Sequence, residues 1–312
     1  MTSPSQDPRD GRGVPARKRY VLAACSSGLG NRLTVWAGAQ RIADRTSREL
    51  MLYWPKNEQA GCDFDDLFAN DCSTVGPQDI HYLLGTSVTM KVYNTWRTHG
   101  PLGAEVSPDG DPDVEILLLK AWYYPKFMDE TYDAAFFDSV AAYLRRLQPR
   151  AELQERAEAF ELPPRCVGIH VRRDGSCSEF DRSKEVHFQA IMEGLVDRDP
   201  EIGFFVASNE PEVEERFQQR FGDRVRRRPK QGAGRHCIPG MEDALVDLLI
   251  LSRTRAIVGT YYSSYSHVAA ALGRLPHVTA DADSSKGNQK ATLDCLLSGL
   301  GVPAAIRPGS AS

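Results

Sequence analysis

No stretch of this chain of 312 residues runs to the roughly 18–20 uninterrupted apolar positions that a membrane helix needs. The opening MTSPSQDPRDGRGVPARKRY has no apolar segment of the kind a secretory signal carries, which makes the cytoplasm the expected compartment. Seven cysteines, at 25, 62, 72, 166, 177, 237 and 295, include no CxxC pair, so the spacing indicates neither a zinc site nor a disulfide framework. Reduced thiols are the simplest reading in that compartment, with a Cys62–Cys72 bridge left open. Positive charge is not in excess either. A net charge of −4 argues against the broad basic surface of a general nucleic-acid binder.

What is present is an ordinary globular balance, 41% hydrophobic and 26% charged, over a length that suits two domains of about 150 residues each. The apolar run Tyr20-Val-Leu-Ala-Ala24 reads as a buried strand, broken by Ser26-Ser27-Gly28-Leu29-Gly30-Asn31. A helical pattern then places Leu33, Trp36, Ala37, Gln40, Ile42 and Ala43 mostly on one face, and Leu50–Trp54 reads as the next strand. Strand, glycine loop, helix, strand is the opening unit of a doubly wound α/β domain. The proline break at 162–165 marks a linker, after which the rhythm restarts with strands at 166–171, 203–207 and 256–259 and helices at 187–197, 211–221, 243–252 and 264–272. Residues 1–17 and 303–312 are small, polar and proline-bearing, and are expected to be disordered. The expected units are therefore 18–160 and 165–302, two Rossmann-like halves.

Ligands of open α/β sheets sit beyond the carboxyl ends of the strands, and four loops deliver polar groups there. Gly28, Gly30 and Asn31 open a helix after the first strand. Their backbone N–H groups suit an oxygen-rich ligand, and a tight turn needing glycine for its geometry alone is the competing explanation. The third glycine of a dinucleotide fingerprint and the lysine of a P-loop are both missing, and the second strand ends in Tyr53-Trp54-Pro55 with no acidic residue for a ribose. A nicotinamide-dependent oxidoreductase is thereby disfavoured. His170, Arg172, Arg173 and Asp174 leave the strand at 166–171. A guanidinium there matches phosphate oxygens and stabilises the charge that grows on a departing diphosphate. Ser208 and Asn209 open the helix at 211, as caps or as ligands. Thr260, Ser263 and Ser264 put hydroxyls at another helix start, again as caps or phosphate donors. Asp247, on an apolar helix face, requires a partner such as a nucleobase N–H or an arginine.

The segments GIHVRRD, FFVASNEPEVEERF and ALVDLLILSRTRAIVGTYYSSYSHVAAAL resemble, in order and spacing, the donor-binding motifs of the α-1,6-fucosyltransferase superfamily, and SSGLGNRL resembles the start of that group's N-terminal domain. The resemblance covers 25–54 and 166–272. It implies an α/β protein of the GT-B class, with two facing Rossmann-like domains, and an inverting, metal-independent glycosyltransferase that takes a GDP-sugar, GDP-fucose first, and no other cofactor. It implies that Arg172 and Arg173 meet the diphosphate, that His170 and Asp247 contact guanine, that Ser208 and Asn209 fall where the family has Asp or Thr-Asp, and that Ser263 and Ser264 face phosphate. This chain departs from the pattern in three places. One residue fewer separates the arginine pair from Asp174, Gly175 stands where a lysine is common, and TYYSS carries one extra residue. Across that deletion Glu179 falls on the position of the proposed catalytic carboxylate, with Asp174 as the other candidate for the base that takes the acceptor's proton. The acceptor expected is an oligosaccharide or small molecule, held by the N-terminal half, where Trp54, Trp122, Tyr123 and Tyr124 offer either sugar-stacking surfaces or core packing. A different nucleotide sugar, or an inactive nucleotide- or glycan-binding relative, remain the alternatives.

Overall fold

The structure, a computed structural model, describes residues 18–85, 89–94, 104–173, 178–232 and 234–300, without the side chains of Leu84, Ser178 and Glu179. The tails expected to be disordered and Asp174 lie outside the described residues, as does the Glu179 side chain.

Two parallel five-stranded sheets organise the chain. The first is built from β1 (Tyr20–Ala24), β2 (Glu49–Tyr53), β3 (Ser73–Thr74), β4 (Met90–Asn94) and, beyond the short β5 (Glu105–Val106), β6 (Ile116–Lys120), in the spatial order β3-β2-β1-β6-β4. β5 pairs with β7 (Lys126–Phe127) as a separate ribbon. Helices α1 (Leu29–Arg45), α2 (Pro77–Gly85), α3 (Ala134–Leu144) and α4 (Ala151–Glu158) belong to this stretch. The second half runs β8 (Cys166–Val171), α5 (Glu185–Arg198), β9 (Gly203–Ser208), α6 (Pro211–Phe221), β10 (Val225–Arg226), α7 (Ile238–Ser252), β11 (Ala256–Thr260), α8 (Ser264–Gly273), β12 (His277–Ala280) and α9 (Gln289–Gly299). Its order is β10-β9-β8-β11-β12, so the connection reverses direction between β8 and β11. In the first sheet the reversal lies between β1 and β6. These are the positions at which doubly wound sheets open a crevice.

The central strands are continuous apolar runs because helices cover both of their faces. Every residue of β8 and β9 is buried. The two halves are joined by packing as well as by chain. One core cluster contains Leu29, Leu33 and Trp36 of α1 together with Met241 and Leu245 of α7 and Val268 and Ala269 of α8. Gly30 permits a close approach, since a Cβ there would lie 2.6 Å from the Tyr265 backbone nitrogen. Across the same seam, an Arg145 guanidinium N–H donates to the Ala271 carbonyl at 3.1 Å.

Several elements differ from the sequence reading. α1 begins at Leu29, so Gly30 and Asn31 belong to its first turn rather than to a loop. α7 begins at Ile238, five residues before the expected 243, with Pro239 in its first turn where a missing N–H costs nothing. Neither Ser208 nor Asn209 caps α6, whose N-cap is Glu210. Cys62 and Cys72 are free thiols, so the bridge left open is not formed.

Candidate functional site

A cleft of about 550 Å³ opens where the carboxyl ends of β8, β9 and the β11–α8 turn meet the start of α1. Gly28, Gly30 and Asn31 line it from the first half, and His170, Arg172, Ser208, Asn209, Asp247 and Ser264 from the second. Arg173, Thr260 and Ser263 are not on its wall.

Two of those three, Thr260 and Arg173, are occupied in holding the wall together. Thr260 Oγ1 accepts the Arg172 N–H at 2.8 Å and donates to the His170 carbonyl at 3.1 Å, tying the end of β11 to the exit of β8. The Arg173 guanidinium donates to the carbonyls of Arg172 and Ser183 at 2.7 and 2.6 Å, and burial draws its pKa down. Ser263 is the N-cap of α8, buried, with no hydrogen-bond partner for its hydroxyl. Just before it, Tyr262 has φ of 62°, a left-handed conformation unusual for an aromatic residue.

Some residues on the wall also have structural duties. Asn209 brackets the main chain of Arg173, its Oδ1 accepting the Arg173 N–H at 2.8 Å and its Nδ2 donating to the Arg173 carbonyl. The Ser208 hydroxyl accepts the Glu210 N–H at 3.1 Å. Ser264 Oγ donates to Asn31 Oδ1 across the seam between the halves. Arg172 lays its guanidinium over the Phe180 ring, 4.5 Å from the centroid. His170 is 7% exposed, stacks on Tyr265 at 4.6 Å, and has no partner for Nδ1. Burial, followed by the charges of Arg172, Lys230 and Arg173, pushes its pKa down to about 3, so the imidazole is neutral.

Asp247 does find an arginine. Its Oδ1 accepts from Arg228 Nε at 3.1 Å and its Oδ2 from Lys230 Nζ. Lys230 also pairs with Glu214 at 3.1 Å, and Glu214 accepts the Ser208 N–H at 2.8 Å. One turn earlier on α7, Asp243 accepts from Arg156 and Arg228, each at 2.8 Å, and from the N–H groups of Gln231 and Gly232. Burial works against the Asp243 carboxylate, but these donors together hold its pKa below the usual value. Sequence reasoning missed Arg228, Lys230, Asp243 and Glu214. The signal available was the basic run at 226–230 placed ahead of a helix bearing three carboxylates, Glu242, Asp243 and Asp247.

The first half completes the rim. Glu58 and Gln59 line the cleft from a turn in which Asn57 Oδ1 accepts the N–H groups of Gln59 and Ala60. Gly61 N–H donates to the Arg235 carbonyl at 2.8 Å, and a Cβ at Gly61 would collide with the His236 carbonyl. In the Gly28 loop, the fully buried Arg32 donates to the carbonyls of Ser27 and Pro55 and lies over the Trp54 ring. Trp54 and Tyr124 are thus core residues rather than open stacking surfaces, at 5% and 2% exposure, whereas Trp122 is 45% exposed. Tyr123 makes edge contacts with Tyr124 and Tyr132. Among the described residues no group of three or more His, Cys, Asp and Glu could hold a metal ion, and no helix is long and apolar enough to cross a membrane.

No protein-family profile and no curated protein matches this sequence. Solved structures match its fold. NodZ alpha-1,6-fucosyltransferase soaked with GDP-fucose is 17% identical with a TM-score of 0.56, over 83% of this chain and 94% of that one. A mutant of FUT1 from Arabidopsis thaliana in complex with GDP is 18% identical with a TM-score of 0.53, over 86% of this chain and 71% of the other. POFUT1 in complex with GDP is 15% identical with a TM-score of 0.51, over 84% of this chain and 99% of the other. At such identities the likeness is one of architecture: the chain has a fucosyltransferase-like GT-B fold, two parallel α/β sheets with the cleft between them.

Proposed function

We propose that the cleft binds a nucleotide sugar, GDP-fucose, and that the chain transfers the sugar, with inversion and without a metal ion, to a hydroxyl of an oligosaccharide or small-molecule acceptor. The observation that carries this reading is the convergence of Arg172, His170, Asp247 and the α1 and α8 helix starts on one cleft. Solved proteins of the same fold hold GDP or GDP-fucose. In this reading residues 165–302 form the donor-binding unit and residues 18–160 the acceptor unit.

Arg172 supplies a permanent charge to the departing diphosphate, and the backbone N–H groups at the start of α8 add donors. Arg173 acts by holding the loop that follows β8. Glu179 or Asp174 takes the proton of the acceptor hydroxyl as its oxygen attacks the anomeric carbon from the face opposite GDP. Of Trp54, Trp122, Tyr123 and Tyr124, Trp122 is the exposed one and the candidate for stacking on an acceptor ring. The six described cysteines are all free, which suits action in the reducing cytoplasm.

Isothermal titration with GDP, UDP and dTDP, each with and without EDTA, tests the reading. GDP alone is expected to bind, indifferent to EDTA, and Arg172→Ala to weaken it by roughly 10–100-fold, the worth of a charge-assisted hydrogen bond. Preference for UDP or dTDP sinks the fucose assignment. Binding of GDP without turnover of any GDP-sugar points to an inactive relative.

A further inference from the structure

The inner wall of the cleft can be read by counting unused hydrogen-bonding capacity. A carboxylate offers about four lone-pair positions and an ammonium three N–H donors. Asp243 receives four bonds, from Arg156, Arg228, Gln231 and Gly232, and is saturated. Asp247 receives two, from Arg228 and Lys230, and retains half its capacity. Lys230 gives two of its three donors, to Asp247 and Glu214. His170 Nδ1 is unused. Asp247, Lys230 and His170 all line the same cleft beside the apolar Met241 and Ala244. Such a wall holds an acceptor and a cationic donor side by side in a largely apolar recess, the complement of a flat ring carrying adjacent N–H and C=O groups.

Building on the nucleotide reading above, in which Asp247 meets the ring N–H and 2-amino group of guanine as the resemblance implies, we propose that Lys230 determines base specificity: its third N–H donates to the 6-oxo group. Adenine presents a 6-amino donor to the same ammonium and leaves a buried cation facing a donor, which disfavours it. A pyrimidine such as uracil offers the carboxylate one N–H where guanine offers two. Lys230 remains charged in this position. Burial works against the ammonium, but Asp247 and Glu214 outweigh it and raise its pKa.

The test measures affinity for GDP, for 6-thioguanosine diphosphate, in which sulfur replaces the 6-oxo acceptor, and for inosine diphosphate, which lacks the 2-amino group. Wild type is expected to prefer GDP over the thio analogue by about tenfold. Lys230→Met is expected to remove that preference while keeping the preference for GDP over inosine diphosphate. Unchanged discrimination of the thio analogue by a folded Lys230→Met variant overturns the proposal and leaves the nucleotide reading intact. Failure of wild type to bind any of the three overturns the nucleotide reading itself. Should the variant not fold, as judged by circular dichroism, the wild-type comparison decides: equal affinity for GDP and the thio analogue overturns the assignment.

Discussion

Asp243 and Asp247 stand one helical turn apart on α7 and have different duties. The first is consumed by fixing the 228–232 segment, and the second keeps capacity for a ligand. Charge does not distinguish the duties, because both carboxylates pair with the same Arg228 and each has a second cation, Arg156 for Asp243 and Lys230 for Asp247. Two histidines in this half, His170 and His277, carry the opposite condition, a lowered affinity for protons. His170 is pushed down to about 3 by burial and by neighbouring cations, and His277 well below its ordinary value by desolvation and then by His267 and His170. In the unfolded chain each takes up a proton near pH 6.5. Below that pH the unfolded state therefore binds more protons than the native state, and stability declines as acidity increases. The contribution is complete above about pH 6.5 and is lost progressively down through the folded value of His170. Urea midpoints measured from pH 7.5 to 4.5 are expected to fall, and His277→Gln to flatten the slope; a pH-independent midpoint would contradict the assignment of neutral rings.

Among the elements, α1 shows what two neighbouring glycines do for different reasons. A Cβ on Gly28, at the N-cap with φ of −66°, meets nothing within 4 Å, whereas one on Gly30 runs into α8. Gly30→Ala is expected to cost about 1–3 kcal/mol through overpacking, and Gly28→Ala less than about 1 kcal/mol, read as shifts in denaturant midpoint. Equal effects would show that the glycines serve the turn and not the helix contact. The sequence had suggested a loop cradle for both, because a glycine pair after a strand has the same signature whether a ligand or a helix comes close. The strands β8 and β9 and helix α6 were legible, since their apolar runs and the Glu-Pro start are local signals. The start of α7 was not. Cys237, Pro239 and Gly240 look like turn residues, and Gly240 is required only because Gly234 packs against it from a neighbouring loop. Arg228 and Lys230 were hidden for the same reason. A run of basic residues reads as solvated until the helix that buries it, 15 to 19 residues away, is folded beside it.

For the whole molecule, the continuous core through α1, α7 and α8 sets the behaviour of the two halves. The resemblance in the sequence motifs implied two facing domains, and sheet order together with matched solved folds bears out that architecture. How tightly the halves are bound could not be read from motifs, because it depends on Gly30, Gly61 and the Arg145 contact meeting partners on distant segments. The Gly30 contact has a kinetic side. A hinge needs slack at its axis, and here two helices touch backbone to side-chain-free backbone at the root of the cleft. Exchange of an occupant is then expected to proceed by displacement of the rim residues Gly234, Arg235 and His236, with the halves holding their angle. Small-angle scattering from the free and GDP-saturated protein is accordingly expected to give one radius of gyration, and a contraction on saturation would locate the exchange step in rotation about that axis instead.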